Sequence, residues 1–189
     1  KDSRLAFGVN FSNIGSKMSY TDAQTSDFIP MNMRLGTALT MNLDTYNKIT
    51  LTTDINKLLV PTPPRYAITN PDSIIAGKDP NVSVPVAIFQ SFYDAPGGFR
   101  EELREYTLSV GTEYWYNEQF ALRAGYFHEN ETKGNRKYFT AGAGFRLSGF
   151  TVDFSYLMPT VQNHPLARTL RFSIAFDISS AGKKASSNI

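Results

Sequence analysis

The sequence predicts an all-β protein, a run of antiparallel transmembrane β-barrel wall, on three observations. About eight segments alternate apolar with small or polar residues at a period of two, the pattern of a strand with two unlike faces. The connections between them alternate short and long, as in outer-membrane barrels with tight turns on the periplasmic side and extended loops outside. Tyrosines and phenylalanines gather near both strand ends around an aliphatic middle, the distribution that two lipid–water interfaces select.

In chain order, Leu5, Phe7, Val9 and Phe11 alternate with Ala6, Gly8, Asn10 and Ser12. Met33, Leu35, Thr37, Leu39, Met41 and Leu43 then oppose Asn32, Arg34, Gly36, Ala38, Thr40 and Asn42. Ile49, Leu51, Thr53 and Ile55 face away from Thr50, Thr52, Asp54 and Asn56. Tyr106, Leu108, Val110, Thr112, Tyr114 and Tyr116 oppose Thr107, Ser109, Gly111, Glu113 and Trp115. Leu122, Ala124 and Tyr126 oppose Ala121, Arg123 and Gly125. Phe139, Ala141, Ala143, Phe145 and Leu147 oppose Thr140, Gly142, Gly144 and Arg146. Phe150, Val152, Phe154 and Tyr156 oppose Thr151, Asp153 and Ser155. The last segment sets Leu170, Phe172, Ile174, Phe176 and Ile178 against Thr169, Arg171, Ser173, Ala175 and Asp177. Most of these lengths suit a tilted membrane strand of about 9–11 residues.

A soluble β-sandwich also alternates, but it has no reason to gather its long loops at one end. Here Asn13 to Pro30, about Lys57 to Glu105, His128 to Lys137 and about Leu157 to Arg168 are long. Asp44-Thr45, Asn117 to Gln119 and Ser148-Gly149 are short. If the last strand runs toward the periplasm, every long loop is extracellular. Tyr106, Tyr126, Phe139 and Tyr156 then mark the outer rim. Tyr114, Tyr116, Phe120, Phe145, Phe150 and Phe176 mark the inner one.

Composition narrows the function. The 189 residues carry 19 Lys and Arg against 17 Asp and Glu, a net charge of +2. That near-balance argues against a nucleic-acid binder, which needs a basic face. With no cysteine and two histidines, thiol catalysis, disulfides and cysteine- or histidine-rich metal sites are not expected. No apolar run approaches the roughly 18 residues of a membrane helix. Lys1-Asp2-Ser3-Arg4 leads directly into the alternation, so a secretory signal of an exported chain is expected upstream.

The inward charges are Arg34, Arg123, Arg146 and Arg171 against Asp54, Glu113, Asp153 and Asp177. Equal numbers of each sign predict a structural ion-pair network in the lumen rather than a selectivity ring. Gly8, Gly36, Gly111, Gly125, Gly142 and Gly144 also point inward and would underfill an eight-stranded barrel, whose interior side chains just fill. A wider barrel is therefore expected, of which residues 1–178 form the C-terminal part, followed by a polar tail at 179–189.

The long loop at about 57–105 holds seven of the ten prolines. Its apolar stretch Val84, Val86, Ala87, Ile88, Phe89, Phe92 and Tyr93 argues for order, and Ser83 with Pro85 predicts a short capped helix. Such groups on an outside loop need a partner: another protein, lipid or the barrel's own mouth. Candidate contacts are Pro61, Pro63, Pro64, Phe89, Phe92, Tyr93 and Phe99. His128-Glu129-Asn130-Glu131 reads as a solvated loop tip, His164 as a turn residue, and Asn130-Glu131-Thr132 as a chance sequon. Glu101 and Glu102, followed by Arg104, read as partners in helix-surface salt bridges. No serine–histidine–acid set is apparent, so no enzyme, metal or cofactor is expected.

Several stretches resemble the PorV family of type IX secretion outer-membrane proteins, related to the FadL-type barrels. They are Phe11-Ser-Asn-Ile-Gly15, Asn56-Lys-Leu-Leu-Val-Pro-Thr-Pro-Pro64 and Gln90-Ser-Phe-Tyr-Asp-Ala-Pro-Gly-Gly-Phe99. Further along come Glu113-Tyr-Trp-Tyr116, Phe120-Ala-Leu-Arg-Ala-Gly-Tyr126, Gly134-Asn-Arg136, Gln162-Asn-His-Pro165 and Thr169-Leu-Arg-Phe172. The resemblance implies a FadL-like barrel of 14 strands, this chain supplying about the last eight, in the bacterial outer membrane. It implies a non-enzymatic component that docks on the SprA (Sov) translocon barrel and receives cargo proteins bearing a C-terminal secretion domain. It then passes them to the PorU-containing attachment complex. The alternative is a FadL-like transporter of hydrophobic small molecules.

Overall fold

Strand register converts the alternation into two continuous faces. The computed structural model describes residues 2–19, 26–70, 72–160 and 169–177; Ile178, the segment around His164 and the 179–189 tail lie outside them. The chain forms β1 (Ser3–Ser12), β2 (Asn32–Asn42) and β3 (Asn47–Leu58), then a small hairpin, β4 (Arg65–Tyr66) and β5 (Ile74–Ala76). Two short helices follow, α1 (Val84–Gln90) and α2 (Phe99–Arg104). The chain then continues through β6 (Thr107–Tyr116), β7 (Phe120–His128), β8 (Lys137–Leu147), β9 (Phe150–Pro159) and β10 (Leu170–Phe176). All but the hairpin strands make one eight-stranded sheet in sequence order, with every neighbouring pair antiparallel.

One row across the sheet reads Leu5, Leu39, Leu51, Thr112, Ala124, Ala141, Tyr156, Leu170. An adjoining row on the opposite face reads Arg4, Thr40, Thr50, Glu113, Arg123, Gly142, Ser155, Arg171. Because each step pairs residues that the alternation assigns to the same face, no strand is slipped, and a one-residue slip would have exchanged its faces. The apolar face has no protein packed on most of it: Phe7 is 77% and Phe176 73% exposed. A patch of this extent is a surface for lipid or protein rather than water. Cross-strand aromatic pairs lie at both ends of that face. Tyr126–Phe139 (ring centroids 4.8 Å apart) sits at the long-loop end; Phe120–Phe145 (5.1 Å) and Phe150–Phe176 (5.2 Å) sit at the turn end.

The short connections are built for their task. Asn117 and Glu118 both take positive φ (50° and 52°), as do Ser148 and Gly149 (44° and 84°), the backbone twist that suits tight hairpins. At the β2–β3 turn, Asp44 Oδ1 accepts from the Tyr46 and Asn47 amides, each at 2.8 Å; these bonds, the Tyr46 amide first, hold its carboxyl below the ordinary range. The sheet stays open: among the described residues β1 pairs only with β2 and β10 only with β9. Among the described residues no helix is long and apolar enough to cross a membrane.

Most of the buried apolar side chains near the long loops are Met31, Leu59, Ala87 and Ala95, all at most 7% exposed. They lie where the segment after β3 folds against the strand ends. Lys57 pairs with Met33 and shares the parity of Ile55 and Leu35, which places it on the apolar face. Its ammonium lies 5.8 Å from the Phe92 ring centroid and 5.1 Å from that of Tyr106. The helical part of the loop thus covers the outside of the wall at its rim, forming a crest. The stretch Val60 to Pro63 borders a cavity of about 250 Å³ together with Asn56, Leu58, Thr107 and, from the crest and the loop after β7, Glu105, Lys133 and Arg136.

Candidate functional site

Two clusters result, one on the inner face and one in the crest. On the inner face, Arg123 on β7 donates through Nε to Glu113 Oε2 on β6 (2.6 Å) and through Nη1 to Asp153 Oδ1 on β9 (2.5 Å). Trp115, 5% exposed, lies between guanidinium groups, 4.6 Å from Arg146 and 5.6 Å from Arg123. The expected network therefore gathers Glu113, Arg123 and Asp153, with Arg146 beside them through the ring. Among the described residues no ion pair joins Arg34, Asp54 or Arg171, and the Asp177 amide donates to the Gly149 carbonyl (2.7 Å).

Glycine makes room for these charges. A Cβ on Gly144 would stand 2.5 Å from Asp153 Oδ1 and 2.9 Å from Arg123 Nη1, and one on Gly36 would collide with the Asp54 carboxylate. Part of the space that the inward glycines leave is thus filled by charged side chains of neighbouring strands. Gly8 has no atom within 4 Å of such a Cβ.

In the crest, Ser83 occupies the N-cap position of α1 with Pro85 in its first turn, but its side chain makes no capping bond. Ala87 and Gln90 turn inward, which leaves Val86, Phe89 and Tyr93 on one outward stripe, 48%, 71% and 57% exposed. Val86 and Phe89, three residues apart, share one face of α1, and Tyr93 follows in the turn after the helix. Phe99 and Leu103 continue the apolar surface on α2, with Arg100 and Arg104 exposed beside them. Phe92 is exposed next to the Lys57 ammonium. Pro61 is half-buried and Pro63 exposed, but Pro64 is buried, packed near Gly77, whose φ of 90° lets the hairpin close over it. Pro64 is thereby withdrawn from the set of contact residues.

Beneath the stripe is a charged core. Lys57, with no accessible side-chain surface, donates to Glu105 Oε2 (2.7 Å) and Glu102 Oε2 (3.3 Å). Glu102 Oε1 accepts the Ala95 amide at 2.7 Å. Thr62 binds both sides: its amide donates to Asp94 Oδ2 (3.1 Å) and its hydroxyl to Glu105 Oε1 (2.7 Å). Lys133, from the neighbouring loop, donates to Glu101 (2.8 Å) and Glu105 (2.9 Å). The expectation that Glu101 and Glu102 both pair on a helix surface is corrected: Glu101 does, while Glu102 is 4% exposed and faces inward. Burial pushes the Asp94 carboxyl up, and the nearby Glu102 and Glu105 charges add to it. Burial also opposes the charge of Glu105, but bonds from Lys57, Lys133 and Thr62 outweigh it and hold its carboxyl low.

The loop after β7 is likewise more than a solvated tip. Glu129 is 4% exposed and receives a fork from Arg136, Nε at 2.8 Å and Nη2 at 2.7 Å. Gly134 leaves the room, since a Cβ there would approach the Glu129 Cδ to 2.7 Å. Asn130 Oδ1 accepts the Thr132 amide (3.1 Å) and caps the 3₁₀ turn Glu131–Lys133. His128 ends β7 with its Nδ1 3.3 Å from the Tyr126 hydroxyl.

An antiparallel meander with one apolar and one polar face is consistent with part of a β-barrel. Residues 1–65 match the family model of the type IX secretion system protein PorV. The matched part spans β1 to β3 and the start of the crest; it supports a type IX secretion system protein and is consistent with the cell envelope. No curated protein matches the chain.

Proposed function

We propose that the protein is a non-enzymatic outer-membrane component of the type IX secretion system. It docks on the SprA-type translocon barrel, receives cargo bearing the C-terminal secretion domain and hands it to the PorU-containing attachment complex. The observation that carries this is the crest: an ordered apolar stripe of Val86, Phe89 and Tyr93, extended by Phe99, on the outer side of the wall. Lipid cannot satisfy bare strand edges, since backbone groups in a bilayer need internal partners. The open edges of β1 and β10 are accordingly read as joints to further strands, 14 in the complete FadL-like barrel. The Glu113–Arg123–Asp153 network on the inner face speaks against the transporter of hydrophobic molecules.

The test replaces Phe89, Phe92 and Tyr93 together by Ser in the full-length protein in its own cells. Heat-modifiable mobility on gels reports that the barrel has folded. Loss of cargo secretion from a folded barrel is expected. Normal secretion by that variant removes the crest from the mechanism, and uptake of a labelled fatty acid that depends on the protein would favour the transporter instead.

A further inference from the structure

We propose that the α2 face of the crest binds the phosphate groups of an anionic outer-leaflet lipid through Arg100 and Arg104. At about 100° per helical residue, Phe99 and Leu103 share one strip of α2, and Arg100 and Arg104 share the next. Glu101, Glu102 and Glu105 take the remaining side. The structure sorts them in this way: Phe99 and Leu103 are exposed, with both arginines exposed beside them. From Val84 to Glu105 the chain has four acids and two cations. All four acids turn to protein: Asp94 and Glu102 are buried, while Glu101 and Glu105 accept from Lys133, and Glu105 also from Lys57. Both cations turn outward, and among the described residues neither has an ion pair. Lys78, 3.8 Å from the Tyr93 ring centroid, adds a third exposed cation. Four residues apart on one helix side, the two arginines repel each other, and an anion between them removes that cost.

Position selects the occupant. The crest lies on the apolar side of the wall, at the end where Tyr126 and Phe139 pair outward. Phe and Leu beside arginine suit such a rim, with apolar groups toward the acyl chains and cations at the headgroups. The planar fork of arginine grips phosphate through two parallel bonds. α2 leads directly into β6, whose Leu108 and Val110 are exposed on the apolar face. The apolar strip is therefore continuous along the chain with the wall, which favours lipid over an acidic protein. The inference rests on the outer-membrane placement proposed above, and not on translocon or cargo.

The experiment uses full-length protein from its own cells, exchanged into a nonionic detergent until no native lipid remains bound. Native mass spectrometry then titrates diphosphoryl lipid A against its dephosphorylated form, which has the same acyl chains. Preferential retention of the phosphorylated lipid is expected, weakening as NaCl rises. Arg100→Ser with Arg104→Ser should lower that affinity about 25-fold, about fivefold for each arginine at an anionic surface. Lys48→Gln, on the inner face at the turn end, should leave it unchanged. Equal retention of both lipids, or a double variant that binds like wild type, would overturn the assignment. So would inorganic phosphate that displaces the lipid at equal concentration, which marks a plain anion site. A double variant that keeps the lipid but loses cargo secretion would hand the arginines to an acidic protein surface instead. Heat-modifiable mobility checks that this variant folds; if it does not, the wild-type comparison of the two lipids decides alone. A wild-type protein without heat-modifiable mobility would strike the barrel placement itself, and this inference with it.

Discussion

Replacing Lys57 by Met takes away the cation that holds the crest but keeps a stem of similar length against Phe92 and Tyr106. Lys57 has no accessible side-chain surface, and its partners Glu102 and Glu105 keep only 5% and 13% of theirs. Removing one partner of such a pair leaves buried charge uncompensated, at a cost of about 3–5 kcal/mol. The two ring contacts, at 5.8 and 5.1 Å, add a smaller loss. At 1.4 kcal/mol per factor of ten, local opening of the crest should rise by roughly two to four orders of magnitude. Amide hydrogen exchange in α1 and α2 reads that opening directly, with β7 and β8 as internal reference. The combined change Lys57→Met, Glu102→Gln and Glu105→Gln should recover most of the protection, because deleting a whole buried pair is often near neutral. Less than about tenfold faster exchange in Lys57→Met would refute the reasoning, for the ammonium would then be solvated.

Arg136→Ala should destabilise the loop after β7 by about 1–3 kcal/mol, since it strands the buried Glu129 carboxylate; faster proteolysis near Glu131 checks it. Gly144→Leu forces a side chain against Asp153 and Arg123 and should cost about 1–3 kcal/mol as overpacking. A lower temperature of heat-modified mobility would report it. For pH, an acid whose folded value is raised, such as Asp94, withdraws stability as pH rises above its ordinary 3.8. Glu101 and Glu105, held low, contribute stability present above 4.5 and lost as pH falls through their folded values. Asp94→Asn should therefore open the crest less than wild type at neutral pH and no differently at about pH 3, as hydrogen exchange will show.

The sheet was legible because its determinants are local. A period of two fixes which face each residue takes, and the turns Asn117-Glu118 and Ser148-Gly149 fix where the chain reverses. The register rows then follow without any long-range information. The crest obeys other rules. Lys57 continues the outward parity of Ile55, and nothing near it announces that Glu102 and Glu105, some 45 residues on, will cover it. Glu102 sits in a six-residue helix begun at Gly98 with φ 68°, too short for an apolar period to declare its inner side. Glu129 likewise depends on Arg136 across a loop, and the one local hint was Gly134, the small residue that its carboxylate requires.

The crest covers the ends of β2, β3 and β6 and leaves the rest of the apolar wall bare. A plain cylinder in a bilayer has no preferred heading and meets its neighbours equally from every side. In the outer-membrane barrel proposed above, the crest would give a bearing. Along the capped arc, lipid would meet aromatic rings and the exposed guanidinium groups of Arg100 and Arg104 where it would otherwise find apolar wall. Diffusion in the membrane plane would then become a search in angle as well as position, and a neighbour that relieves the disturbance would be met crest-first.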